Sequence, residues 1–439
     1  MKRFSFSIWV VITLFSTASV AEDLMEVFTM SLRSDPQLLA EAASRQAVGE
    51  LDSQALAQFL PQIGLSANDG YIRQDTSSQS FLSGDRNYND HGYSLSITQP
   101  VYHRENFIQQ AQADISIEGA QASYLVVEQA LIVRVAERYF EVLGRQDAVS
   151  FAIAEQEANK QQLEQTQQRF EVGLSTITDV TESQAAYDIS IAGVISAETG
   201  LVNSKERLRE IAGRYLDTLS VLKEETPLVS PDPEDIDKWT EQALEKNPNI
   251  TVARAAVDNA GQSIEFQKSG HYPSLDVVGQ KSYSSQSDSS FGGSYKTHQD
   301  SVSLQFNVPI YTGGAVVSRT REAGYRLDQA MQNQEQQHRE VTRQTREAYN
   351  QVIAGISQVK ALKQAVISSE KALESTEAGY EVGTRTTVDV LNVRRELFRA
   401  LRDHARSRYD YILSTLRLKQ AAGIVNIDDL NRINQWLGS

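Results

Sequence analysis

The chain has 439 residues, with 42 Lys+Arg against 57 Asp+Glu for a formal charge of −15, nine Pro and no Cys. Without cysteine there is no disulfide framework, thiolate metal site, cysteine nucleophile or N-terminal cysteine to carry a lipid. The acidic balance excludes the broad basic surface that nucleic-acid binding needs. At 40% hydrophobic residues, the composition is that of a folded chain.

Residues 1–21 read as a secretory signal peptide: Lys2 and Arg3, an apolar stretch over 4–15, then the small residues Ser19 and Ala21 flanking Val20. No later stretch approaches the roughly 18 consecutive apolar residues of a spanning helix. An exported chain of this kind can enter a membrane only as β-strands.

The prolines reveal a duplication. Pro36, Pro61 and Pro100 recur as Pro248, Pro273 and Pro309, at offsets of 212, 212 and 209, with Pro227, Pro231 and Pro233 clustered between the two sets. Gly173 with Gly383, and Tyr139 with Tyr349, keep an offset of 210. The pattern predicts a first repeat over 22–226, a linker over 227–233 and a second repeat over 234–439.

Each repeat opens with period-two segments, predicted as strands over 61–103 and 273–311. Ile63, Leu65 and Ala67, then Tyr93, Leu95 and Ile97, alternate with small polar residues. The second copy repeats this with Leu275 and Val277, then Val302, Leu304, Phe306, Val308 and Ile310. Polar stretches over 76–90 and 284–299 read as loops. Tyr71, Phe81, Tyr88, Tyr93, Tyr283, Phe291, Tyr295 and Tyr311 lie near the strand ends, where an aromatic girdle would sit. A half-buried sheet of a soluble protein gives the same alternation, but export without a spanning helix favours an outer-membrane barrel. Four strands cannot close and their edges cannot stay unpaired in lipid, whereas three chains supply twelve and leave a lumen. A homotrimer in outer-membrane lipid is therefore expected.

No proline falls between Pro100 and Pro227 or after Pro309, and these stretches are rich in helix formers. They predict helical hairpins over 104–213 and 313–423. A first helix over 106–170 would be about 98 Å long; a turn at Gly173 or Gly383 is followed by return helices over 178–212 and 388–422. The glutamine-rich surface over 155–168 reads either as a solvated face or as the wall of a wet passage.

The two turns differ in informative ways. Phe170, Ser175 and Thr178 of the first correspond to Tyr380, Arg385 and Val388 of the second. One tip has gained donors while the other keeps the acceptors Thr178 and Asp179, so bonds between neighbouring tips could close the end of a tunnel. Asp179 and Asp389 could equally serve only to favour the first turns of their own helices.

Tyr380-Glu381-Val382-Gly383-Thr384-Arg385-Thr386-Thr387-Val388-Asp389-Val390-Leu391, Arg169-Phe170-Glu171-Val172-Gly173-Leu174 with Thr178-Asp179-Val180, and Val308-Pro309-Ile310-Tyr311-Thr312-Gly313-Gly314 resemble the TolC family of outer-membrane channel proteins. The likeness runs in order through both copies. It implies an α+β membrane protein: a trimeric twelve-stranded transmembrane β-barrel, four strands per chain, continuous with a periplasmic α-barrel of long helical hairpins. It further implies service in tripartite efflux and type I secretion with a periplasmic adaptor protein and an inner-membrane transporter of the RND, ABC or MFS class. By the same resemblance the closed entrance is held by Tyr380 to Asp179, by Arg385 to Thr178 and Asp179, and by a contact of Gln162 with Glu377. An acidic ring corresponds to Asp389 and position 392. Asn392 replaces the second acid, so a trimer would present three carboxylates instead of six, and cations would block this entrance less tightly.

Rival classes find little support. There is no Gly-x-Ser-x-Gly, no phosphate-cradling Gly-Lys-Ser/Thr loop and no His-Glu-x-x-His, and the six His are scattered. No enzyme activity, cofactor, structural metal or nucleic-acid partner is expected. A soluble periplasmic coiled-coil adaptor or structural protein, the alternative reading, would carry one hairpin flanked by compact β-domains.

Overall fold

A computed structural model describes residues 21–76, 84–216, 218–224, 226–288 and 293–438. The signal-peptide expectation over 1–20, and Phe81 and Phe291 of the expected girdle, lie outside the described residues. In chain order the first elements are α1 (Leu24–Ser34), α2 (Pro36–Ala57), β1 (Gln62–Thr76), β2 (Gly84–His103), α3 (Arg104–Glu171) and α4 (Ile177–Ala212). A short β3 (Val221–Leu222) precedes α5 (Ile236–Lys246), α6 (Pro248–Ser269), β4 (Ser274–Gln286), β5 (Tyr295–Asn307), α7 (Ala315–Glu381) and α8 (Thr387–Ala421). The chain then forms α9 (Ile427–Asn434) and β6 (Leu437–Gly438). It divides into two compact units, one of residues 40–127 and 244–343, the other of 1–39, 128–243 and 344–439.

The first of these units holds a four-stranded antiparallel sheet in the order β1-β2-β4-β5. Its register places Ile63 opposite Ile97, Leu65 opposite Leu95, and Val277 opposite Leu304. Those residues therefore share one face, and Ile63, Leu65, Val302, Leu304 and Phe306 are 66–82% exposed in the single chain. So large a bare apolar face marks contact with lipid rather than water. The other face is hydroxyl- and amide-lined: Ser66 and Ser94 Oγ lie 2.9 Å apart, and Asn68 donates to Asp90 at 3.1 Å.

The strands differ from expectation at both ends. β2 begins at Gly84, β4 runs to Gln286 and β5 begins at Tyr295, so much of the two expected loops is strand. Main-chain pairing continues there irrespective of side-chain polarity, and the opposed Tyr93 and Tyr283 rings, 5.4 Å apart, pin the register. Conversely β5 stops at Asn307: Pro309 offers no N–H to a ladder, and Ile310 and Tyr311 lie outside the strand, 87% and 84% exposed. Tyr311 thus lies just beyond the strand end and not within the strand. At the foot of the sheet, His103 lies 2.9 Å from Asp276 and 3.3 Å from Glu105.

The second unit has its own core, drawn from Leu131, Val135, Tyr139, Phe140 and Leu143 of α3, Ile412 and Leu416 of α8, Leu24, Val27 and Phe28 of α1, and Leu430 of α9, all at most 1% exposed. The Tyr139 hydroxyl donates to Ser220 O at 2.8 Å, and Tyr411 Oη donates to Val229 O at 2.9 Å while accepting from its N–H at 2.7 Å. The segment around Val229 is thereby held against α8. α3 and α7, of 68 and 67 residues, each span about 100 Å. They contain no proline, and no described helix is apolar and long enough to cross a membrane.

Candidate functional site: the two helical tips

Both hairpins turn in the same way. Gly173 and Gly383 have φ of 78° and 81°, the left-handed conformation that a Cβ disfavours. The turn is closed by Leu174 N–H to Arg169 O and Thr384 N–H to Gly379 O, both 2.8 Å. Three residues later the return helices start with matching capping boxes. Thr176 and Thr386 accept from the N–H of Asp179 and Asp389 at 3.2 Å, and the aspartates accept from the threonine N–H at 2.9 Å.

Those bonds set the carboxylates. Asp179 is held below the usual carboxylate pKa chiefly by the Thr176 N–H; burial opposes this, and the hydroxyls of Thr176, Ser175 and Thr387 each add a smaller lowering effect. Asp389 is held below it by the Thr386 N–H and hydroxyl, helped by the charge of Arg385. Both stay ionised at neutral pH. Each Asp spends Oδ2 on its cap, with Thr386 N–H and Oγ1 at 2.9 and 3.0 Å from Asp389.

Tyr380 and Asp179 are joined through an intermediary. Thr387, 1% exposed, stands between them: its hydroxyl donates to Tyr380 Oη at 3.5 Å, and it is the weakest of the groups that lower the Asp179 pKa. Tyr380 further lies under the Arg169 guanidinium, 4.9 Å from its ring centroid. Arg385 and Thr178 are exposed, and among the described residues neither side chain has a hydrogen-bond partner in this chain. Asn392 is exposed one turn beyond the half-buried Asp389 on α8.

The sequence profile of the family described as outer membrane efflux protein matches residues 27–214 and 239–424. The chain belongs to this family. It is 39% identical over 426 residues to outer membrane protein TolC of Vibrio cholerae serotype O1, covering 96% of this chain and 95% of that protein. It is 28% identical over 420 residues to the alkaline protease secretion protein AprF of Pseudomonas aeruginosa, covering 93% and 86%. The crystal structure of the Campylobacter jejuni CmeC outer membrane channel has the same fold, with a TM-score of 0.79 at 14% identity over 95% of this chain and 90% of that one. The fold is that of an outer-membrane duct with four strands per chain, twelve in a trimer, and a periplasmic helical barrel.

Within this outer membrane efflux protein, Gln162 and Glu377 share one partner. Arg394 lies between them, its Nη2 2.7 Å from Glu377 Oε1 and 3.5 Å from Gln162 Oε1. Sequence reasoning missed Arg394, Thr387 and the role of Arg169. The paired Arg394-Arg395 just past Asn392 was the only local sign, and nothing local says that one of them is buried.

Proposed function

We propose that this outer-membrane exit duct is gated at its helical tips and passes cargo, without catalysis, from an inner-membrane RND, ABC or MFS transporter through a periplasmic adaptor. The observation that carries the reading is the asymmetry of the tips. Within one chain, Thr387 and Arg169 contact Tyr380 close to Asp179, while the exposed side chains of Arg385 and Thr178 have no hydrogen-bond partner among the described residues. In a trimer each Arg385 would face the Thr178 and Asp179 of a neighbour, closing a ring of contacts, each worth about 1–3 kcal/mol. Asp389 would line the mouth with three carboxylates and Asn392 with three amides, a ring at which multivalent cations bind and block. The duplication into 22–226 and 234–439 about a linker over 227–233 is supported by the two matched stretches.

The test is single-channel conductance in planar bilayers. Tyr380→Phe with Arg385→Ser should raise the resting conductance severalfold; a double variant as closed as the parent defeats the gate. Block by a trivalent cation should weaken in Asp389→Ala, and equal block in both would defeat the ring.

A further inference from the structure

We infer that Arg394 is a positioning residue for gating: it bolts the second hairpin to the first behind the tips, a role that rests on the gate reading above. Its position is two helical turns, about 12 Å, into α8 from the Thr386 cap. The residue is 9% exposed, and a charged side chain is rarely buried so deeply unless paired. It is paired three ways: Nη1 donates to Ala158 O at 2.9 Å, and Nη2 donates to Glu377 Oε1 at 2.7 Å and to Gln162 Oε1 at 3.5 Å.

The chain of bonds continues past Gln162. Gln162 Nε2 donates to Thr166 Oγ1 at 3.3 Å, and Ser183 Oγ donates to the same oxygen at 3.3 Å. Thr166 and Ser183 are both fully buried. One polar thread thus runs from Glu377 on α7 through Arg394 on α8 and Gln162 and Thr166 on α3 to Ser183 on α4, crossing all four helices of the tip region. Glu377 alone among the named side chains is half in water, at 45% exposed.

The thread occurs once per chain. At the usual offset of 210, Arg394 corresponds to Gln184, which bonds Asp188 on its own helix at 2.9 Å. Thr166 and its counterpart Thr376 alike donate to the carbonyl one turn back on their own helices, at 2.8 and 2.7 Å, but Gln162 corresponds to Ala372, which has no side-chain amide to carry the thread on. A generic helix-packing device would appear in both copies. Separating the hairpins would strand a guanidinium that is buried while they are together, so the bolt favours the joined arrangement. Arg394 thus biases the two-state equilibrium of the tips without itself meeting cargo.

The experiment uses the purified full-length trimer in planar bilayers, with the heat stability of the trimer as a folding control. Arg394→Met keeps the stem and removes the charge; Arg394→Lys keeps the charge without the fork; Glu377→Gln leaves a neutral acceptor. With trimer stability at the parental value, Arg394→Met should raise the open population about tenfold, as for loss of a charged hydrogen bond. Arg394→Lys should fall between the two. If Arg394→Met fails to assemble, Glu377→Gln must show a smaller opening in the same direction, and parental conductance there overturns the proposal. Arg394→Met at parental conductance, while Tyr380→Phe with Arg385→Ser still opens, overturns the role of Arg394 and leaves the gate standing. If neither opens, both readings fall.

Discussion

The two tips share a backbone and differ in where they place a guanidinium. Both turn on a left-handed glycine, and both begin the return helix with a Thr-x-x-Asp box. In the first, the arginine is Arg169 at the helix end, laid over the Tyr380 ring, and Ser175 adds a 3.0 Å bond to Asp179. In the second, the position matching Arg169 is Gly379, over which Arg385 lies; a Cβ there would come within 2.8 Å of Arg385 Cγ. Duplication preserved what the main chain requires and released the side chains to specialise. Arg169 of one tip is laid against a ring, while Arg385 of the other is exposed.

That division can be broken by substitution. The largest effect is expected at the shared feature: Gly173→Ala and Gly383→Ala should each loosen their tips by about 1–2 kcal/mol, the cost of a left-handed alanine, and by similar amounts. Hydrogen exchange of the tip amides measures this, and a clear inequality would mean that the turns are not equivalent. Next come the caps, where Thr176→Ala and Thr386→Ala should each cost about 1 kcal/mol by the same measurement. Smaller again is Arg169→Leu, which removes about 0.5–1 kcal/mol of cation–π attraction from the Tyr380 side only. It should increase exchange at the end of α3 and near Tyr380, the two segments that the contact joins, while leaving the Thr176 and Thr386 caps untouched; an equal change at the caps would show that the effect is not local.

How far the sequence exposes these features depends on their range. Gly173, Gly383 and the Thr-x-x-Asp boxes are local rules, so their spacing shows them without any tertiary knowledge. The apolar alternation around Val302 and Leu304 is equally local, but the length of the strands is not. Asn87 and Ser284 read as loop residues and are strand residues because partners across the sheet hold them. Thr387 and Arg394 are hidden for a stronger reason. Arg394 meets Gln162 across 232 residues of sequence, and its burial depends on which face of α8 packs against α3. The resemblance pointed to Gln162 and Glu377 as a pair; only packing reveals the cation between them.

The smallest effect is the most discriminating for the mouth of the duct. Three Asp389 carboxylates brought together in a trimer repel one another, which raises the pH at which they protonate. The Thr386 N–H and hydroxyl and the charge of Arg385 act in the opposite direction and hold Asp389 below its usual value. A carboxylate depressed in the folded state contributes its stabilisation fully above the unfolded pKa, near 3.9, and loses it as pH falls through the lower folded value. Cation block should therefore stay level as pH falls from 7 toward the ordinary carboxylate range in the parent. In Thr386→Ala the hydroxyl is lost, the repulsion is less opposed, and the acid edge of block should move to higher pH. An unchanged edge would show that the cap does not tune the ring, and that Asp389 serves the start of α8 alone.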